Sequence, residues 1–197
     1  MPELNLDPTK TCCFTGHRPE HIMTNEEELF FQLDTAIRQA HYDGYTTFIT
    51  GAAKGFDIFA GEYVLHLQKG GLPIRLVCAV PYPNFNTRGK DKWSARCTAL
   101  LEKASAVEYT CDHYHGGVFQ KRNRWMVDHS SRVISYFTGC NGGTKNTIDY
   151  ALTKNIEIVN LYRDSIPQIY AELRLLKELG ITKEELMQEE LMQPEND

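Results

Sequence analysis

The chain has 197 residues, 42% of them hydrophobic, which fits one globular domain with an appendage. Its formal net charge of −5 argues against broad binding to nucleic acid or to acidic membrane, so neither is expected as a partner. Met1 to Lys10 is polar with no signal-like apolar core, and no apolar run reaches the length of a membrane span, so a cytoplasmic protein is expected.

Thr11 to Thr15 reads as a first strand, closed by Gly16 and followed by His17, Arg18 and Pro19 in a loop. Thr24-x-x-Glu27 has the form of a capping box. It opens a helix in which Leu29, Phe30, Leu33, Ala36, Ile37 and Ala40 recur at helical spacing. Asp43-Gly44 ends that helix, and Thr46 to Thr50 is the second strand. A glycine-bearing loop, Gly51 to Asp57, leads into a helix with the stripe Phe56, Phe59, Ala60, Tyr63, Val64 and Leu67, stopped by Gly70-Gly71. Pro73 to Val80 is a third strand whose nearly unbroken apolar run suits a parallel strand buried on both faces.

An irregular loop runs from Pro81 to Lys92, and a helix is predicted from Asp91 to Lys103. Ala106 to Thr110 is the fourth strand, Val118 to Ser130 a helix and Val133 to Phe137 the fifth strand. A second glycine loop, Thr138 to Thr147, leads into a helix near Thr147 to Lys154 and a sixth strand, Glu157 to Leu161. This alternation predicts a three-layer α/β/α fold over residues 1–163, with a mainly parallel sheet of about six strands and helices on both faces. Residues 164–197 read as a C-terminal helical extension. Ser165 caps a helix with Ile166, Ile169, Tyr170, Leu173 and Leu176, Gly180 breaks it, and Thr182-x-x-Glu185 opens an acidic one. Their apolar faces pack on the domain or on another subunit, and a homo-oligomer is expected.

Strand, glycine turn, helix is how α/β proteins present backbone N–H groups to phosphate. The candidate ligand residues of the first loop are Gly51, Ala52, Lys54, Gly55 and Asp57, where plain turn glycines and a helix-capping Asp57 are the bland alternative. Those of the second are Gly142, Gly143, Thr144, Lys145 and Thr147, in which the hydroxyls and the lysine either meet phosphate or serve cap and solvent. Gly16, His17 and Arg18 follow the first strand, where the ligand crevice of open α/β sheets lies. Phe119, Arg122 and Met126 share a helical stripe, so Arg122 needs a partner, either a ligand phosphate or an internal carboxylate. Tyr82 and Trp93 flank the irregular loop and either stack on a base or pack on the sheet edge.

Six cysteines occur without a CxxC pair and read as buried thiols. Cys111, His113 and His115 alternate but lack a fourth ligand, so no metal is expected.

Phe14-Thr15-Gly16-His17-Arg18-Pro19, Gly51-Ala52-Ala53-Lys54-Gly55-Phe56-Asp57, Pro81-Tyr82, Trp93, Lys121-Arg122-Asn123-Arg124 and Gly142-Gly143-Thr144-Lys145-Asn146-Thr147 together resemble the LOG/DprA-type Rossmann-like proteins of the SLOG superfamily, and within it the YpsA-like branch. The resemblance covers Thr11 to Leu161 and implies a Rossmann-like fold with a site for NAD, ADP-ribose or another nucleotide ligand. It also implies a link to bacterial cell division and stress. The phosphoribohydrolase (LOG) branch has a Pro-Gly-Gly-x-Gly-Thr-x-x-Glu motif. Here Asn141 stands at its proline, Lys145 at its third glycine and Asp149 at its glutamate, which counts against N-glycosidase chemistry.

Binding or sensing of a nucleotide-derived phosphorylated small molecule, with a protein as further partner, is therefore the expected function. A hydrolase of N-glycosidic bonds is one alternative, with Asp57, Glu62 and Asp149 as its candidate carboxylates. A DprA-like binder of single-stranded DNA is the other, disfavoured by the overall charge.

Overall fold

The computed structural model describes residues 4–162. Six parallel strands form one sheet: β1 (Thr11–Gly16), β2 (Thr47–Thr50), β3 (Arg75–Val80), β4 (Ala106–Tyr109), β5 (Arg132–Tyr136) and β6 (Glu157–Asn160). Five helices connect them: α1 (Glu26–Tyr42), α2 (Phe56–Lys69), α3 (Lys92–Lys103), α4 (Val118–Asp128) and α5 (Gly143–Thr153). The spatial order is β4-β3-β2-β1-β5-β6. The expected α/β/α architecture is thus observed. The chain steps outward from β1 to β4, then returns through α4 to β5 on the other side of β1. That reversal between β1 and β5 is the switch point at which open α/β sheets bind ligands.

The apolar periods account for the layers. Leu29, Leu33, Ile37 and Ala40 of α1 are fully buried in a core with Phe14, Phe48, Phe56 and Leu76. A second core holds Cys13, Ile49, Val77, Met126, Val133 and Ala151, where α4 and α5 cover the sheet. All five residues of β5 are buried, as an internal parallel strand requires.

Three local expectations are corrected. Asn25, not Thr24, caps α1, its side chain accepting from the Glu28 N–H at 2.9 Å. Thr24 is instead held by its hydroxyl to Tyr136 Oη at 2.6 Å, a pairing distant in sequence. Helix α5 starts at Gly143 rather than near Thr147, so half of the second glycine loop is the first helical turn. Cys140 is exposed, whereas Cys12, Cys13, Cys78, Cys97 and Cys111 are buried as expected. Among the described residues, no helix is long and apolar enough to cross a membrane. The expected helices carrying Ile166 to Leu176 and following Thr182 lie outside the described residues, as does the boundary at 163.

Candidate ligand site at the strand ends

Parallel strands place the loops after β1, β2 and β5 side by side along one edge of the sheet. The first glycine loop turns out to be closed by its own protein. Asp57 is not a cap: Gly55 is the N-cap of α2, with φ 98° and no capping side chain, and Asp57 is buried in the first turn. Its carboxylate takes the backbone N–H groups of Ala53 and Gly51 and faces Arg122, Nη1 to Oδ2 3.9 Å. Arg122 also donates to the carbonyls of Gly51 and, at 3.4 Å, Ala79. Of the two partners the sequence allows for Arg122, the structure supplies the internal carboxylate. A Cβ on Gly51 would overlap the Arg122 guanidinium, so glycine there serves close packing.

The outer side of this loop is also covered. Asn86 Nδ2 donates to Ala52 O at 3.2 Å, and Lys54 pairs with Asp91 at 2.8 Å. Gly55 approaches the His17 carbonyl, which accepts the Phe56 N–H at 3.1 Å. Gly16 in turn lies against the Phe56 side chain. Burial pushes the Asp57 carboxyl up to about 6 against the pull of Arg122. Burial likewise lowers the Arg122 guanidinium from its ordinary value. Desolvation outweighs mutual attraction for both members, the usual condition of a buried pair.

His17 ties the two sides of the switch point together. Its Nε2 accepts the Thr138 N–H at 3.0 Å and lies 3.0 Å from the Thr138 hydroxyl. The ring is buried against Phe137, centroids 5.7 Å apart, and burial followed by the nearby His21 lowers its pKa. With Nε2 accepting from the Thr138 N–H, the ring links the loop after β1 to the loop after β5. Arg18 beside it is exposed and makes no ion pair among the described residues.

The second loop is open. Gly142 and Gly143 are exposed, and a Cβ on either would meet nothing within 4 Å. Gly142, φ 147°, is the N-cap of α5 and offers no capping side chain, so the first-turn N–H groups remain available. Thr144 is buried at this end. The Thr147 hydroxyl is spent on Gly143 O at 2.8 Å, and Lys145 pairs with Asp149 along the helix at 2.5 Å.

The remaining candidates lie elsewhere. Glu62 is bound two-pronged by Arg96 on the outer face of α2. Trp93 packs edge-on against Phe59 at 5.6 Å, with Arg96 over its face at 4.7 Å. Tyr82 follows β3 and sits in a ring cluster with Phe85, Tyr114 and Phe119. Phe119 is 37% exposed, so it does not share the buried stripe of Arg122 and Met126; Val118 does. Among the described residues, no group of three His, Cys, Asp or Glu side chains could hold a metal ion. The sequence gives Thr138 only a place in the second glycine loop and Phe119 only a place on the Arg122 stripe, and does not single out Tyr114, because the partners of all three come from other loops.

Two solved structures share this fold. DNA processing protein A of Helicobacter pylori, described for its single-stranded DNA binding mode, matches with TM-score 0.54 at 20% identity, over 78% of this chain and 65% of that one. DNA processing protein A (DprA) of Streptococcus pneumoniae matches with TM-score 0.53 at 15% identity, over 77% and 50%. The chain thus spans between half and two thirds of these relatives. An uncharacterized SPbeta prophage-derived protein of Bacillus subtilis (strain 168), YoqJ, is 30% identical over 116 residues, covering 53% of this chain and 68% of YoqJ. The expectation that nucleic acid is no partner is overturned by the DNA-binding neighbour. A net charge summed over the whole chain does not describe the charge at one sheet edge. A family model matches residues 12–166, and with the switch-point loops in the places described, the chain belongs to the YspA SLOG family.

Proposed function

We propose that the chain binds a phosphorylated nucleotide-type small molecule, of the NAD, ADP-ribose or mononucleotide class, with a phosphate at the N-terminus of α5. The observation that carries this reading is the contrast between the two loops. The first is filled by Asp57 and Arg122, whereas Gly142 and Gly143 leave open space before uncapped amides. Exposed Arg18 stands on the other side of the switch point to neutralise charge. Binding is preferred to hydrolysis because Asp57, Glu62 and Asp149 are each engaged with a cation of the protein itself.

Gly143→Asp tests the site. An acidic residue in the first helical turn favours the helix, so thermal stability is kept, yet it repels phosphate. Titration calorimetry with AMP, ADP-ribose and NAD is expected to give saturable binding by the wild type and a loss of about tenfold or more in the variant. Equal binding by both would refute the placement, and no binding of any of these ligands by folded wild type would refute the function.

A second reading is binding of single-stranded DNA, favoured by the fold shared with the Helicobacter pylori protein. A low-salt mobility shift with a labelled oligonucleotide tests it, and a strand that never shifts counts against it.

A further inference from the structure

The loops after β3 and β4 and the start of α4 bring four rings together. Tyr82 packs edge-to-face on Phe85 and on Tyr114, each at 5.6 Å between centroids, and lies 6.5 Å from Phe119. Phe119 also contacts Phe85 at 5.6 Å and Tyr114 at 6.4 Å. Phe85 is 9% exposed and anchors the group, while Tyr114 is 64% exposed. Rings held by one another in this way present a stacking surface with little ordering left to do on binding.

The loop that carries Tyr114 also holds an exposed carboxylate, Asp112, whereas the loop that carries Tyr82 and Phe85 is basic. That loop contributes Arg88 and Lys90. Both are exposed and make no ion pair among the described residues. Basic side chains around exposed rings are what single-stranded nucleic acid requires, cations along its backbone and aromatic faces for its bases.

The patch is distinct from the α5 site. Three strand intervals separate β5 from β3 and four separate it from β4, about 14 and 19 Å at the usual spacing. One mononucleotide with its phosphate on α5 does not reach the rings. We infer that Tyr114 and Phe119, held by Tyr82 and Phe85 and with Arg88 and Lys90 in the adjoining loop, form a base-stacking surface for single-stranded nucleic acid. This deepens the second reading above and is independent of the small-molecule one.

The test is fluorescence anisotropy with a labelled oligothymidylate of about 12 nucleotides at low salt. Tyr114→Ala and Phe119→Ala are each expected to weaken binding about tenfold, with Tyr114→Phe close to wild type. Tyr42→Ala, which removes an exposed ring from the end of α1, is expected to change nothing. The inference is overturned if the alanine variants bind as wild type does. It is also overturned if wild type fails to bind the strand while still binding AMP, an outcome that leaves the small-molecule reading standing. Dissociation of an oligomer by Tyr114→Ala, seen by sedimentation with strand affinity unchanged, would assign the rings to a second copy and likewise overturn it.

Discussion

Replacing Arg122 by methionine is the sharpest test of how the strand-end loops are held. The Arg122 and Asp57 side chains are 6% and 8% exposed, with their nearest charged atoms 3.9 Å apart. Methionine keeps much of the arginine's length, so little cavity forms and the loss is mainly electrostatic. Removing one member of a buried pair leaves the other uncompensated, at about 3–5 kcal/mol. The Gly51 carbonyl also loses its donor. With a urea dependence of about 2 kcal/mol per molar, the unfolding midpoint should fall by about 1.5–2.5 M. Adding Asp57→Asn removes the stranded charge while keeping an oxygen that accepts from the Gly51 and Ala53 amides. The double variant should therefore recover about 2 kcal/mol of the single variant's loss. Urea unfolding followed by tryptophan fluorescence at neutral pH measures both. A loss below about 1 kcal/mol for Arg122→Met, or an Asp57→Asn loss that simply adds to it, would refute the reasoning.

The Asp57 carboxyl also sets a pH dependence. Its folded value of about 6 lies above the ordinary 3.8, so the folded state binds this proton more tightly and its ionisation opposes folding. Relative to Asp57→Asn, wild type should lose about 3 kcal/mol as pH rises from about 4 to about 6, then level off, and a flat difference between the two would contradict this. His17 works in the opposite sense. Burial lowers its folded pKa below 6.5, so its contribution is full above that value and is lost as pH falls through the folded pKa. His17→Gln, whose amide oxygen can still accept from Thr138, should remove this acid sensitivity in the urea midpoint. Glu62→Gln should cost no more than about 1 kcal/mol, as for a partly exposed ion pair, and leave calorimetric binding of AMP unchanged.

The sequence by itself determined the order of elements and the two strand–glycine–helix junctions. Apolar periods of two and 3.6 residues, and breakers such as Asp43-Gly44 and Gly70-Gly71, act within one turn or one strand and are readable locally. It also put Arg122 among buried neighbours and so required a partner for it. Which partner, and which loop stays open, depended on packing across the sheet. Asp57 reaches Arg122 only because β2 lies between β1 and β3 with α4 covering the opposite face. Tyr136 likewise takes the Thr24 hydroxyl only once β5 lies beside β1, leaving Asn25 to cap α1. The ring cluster draws on two strand-end loops and a helix start, each unremarkable alone. Local spacing constrains a residue's own backbone, whereas burial and charge compensation are set by neighbours that only the closed sheet supplies. For that reason the glycine loops were visible in the sequence, but which of them faces a ligand was decided by the tertiary structure.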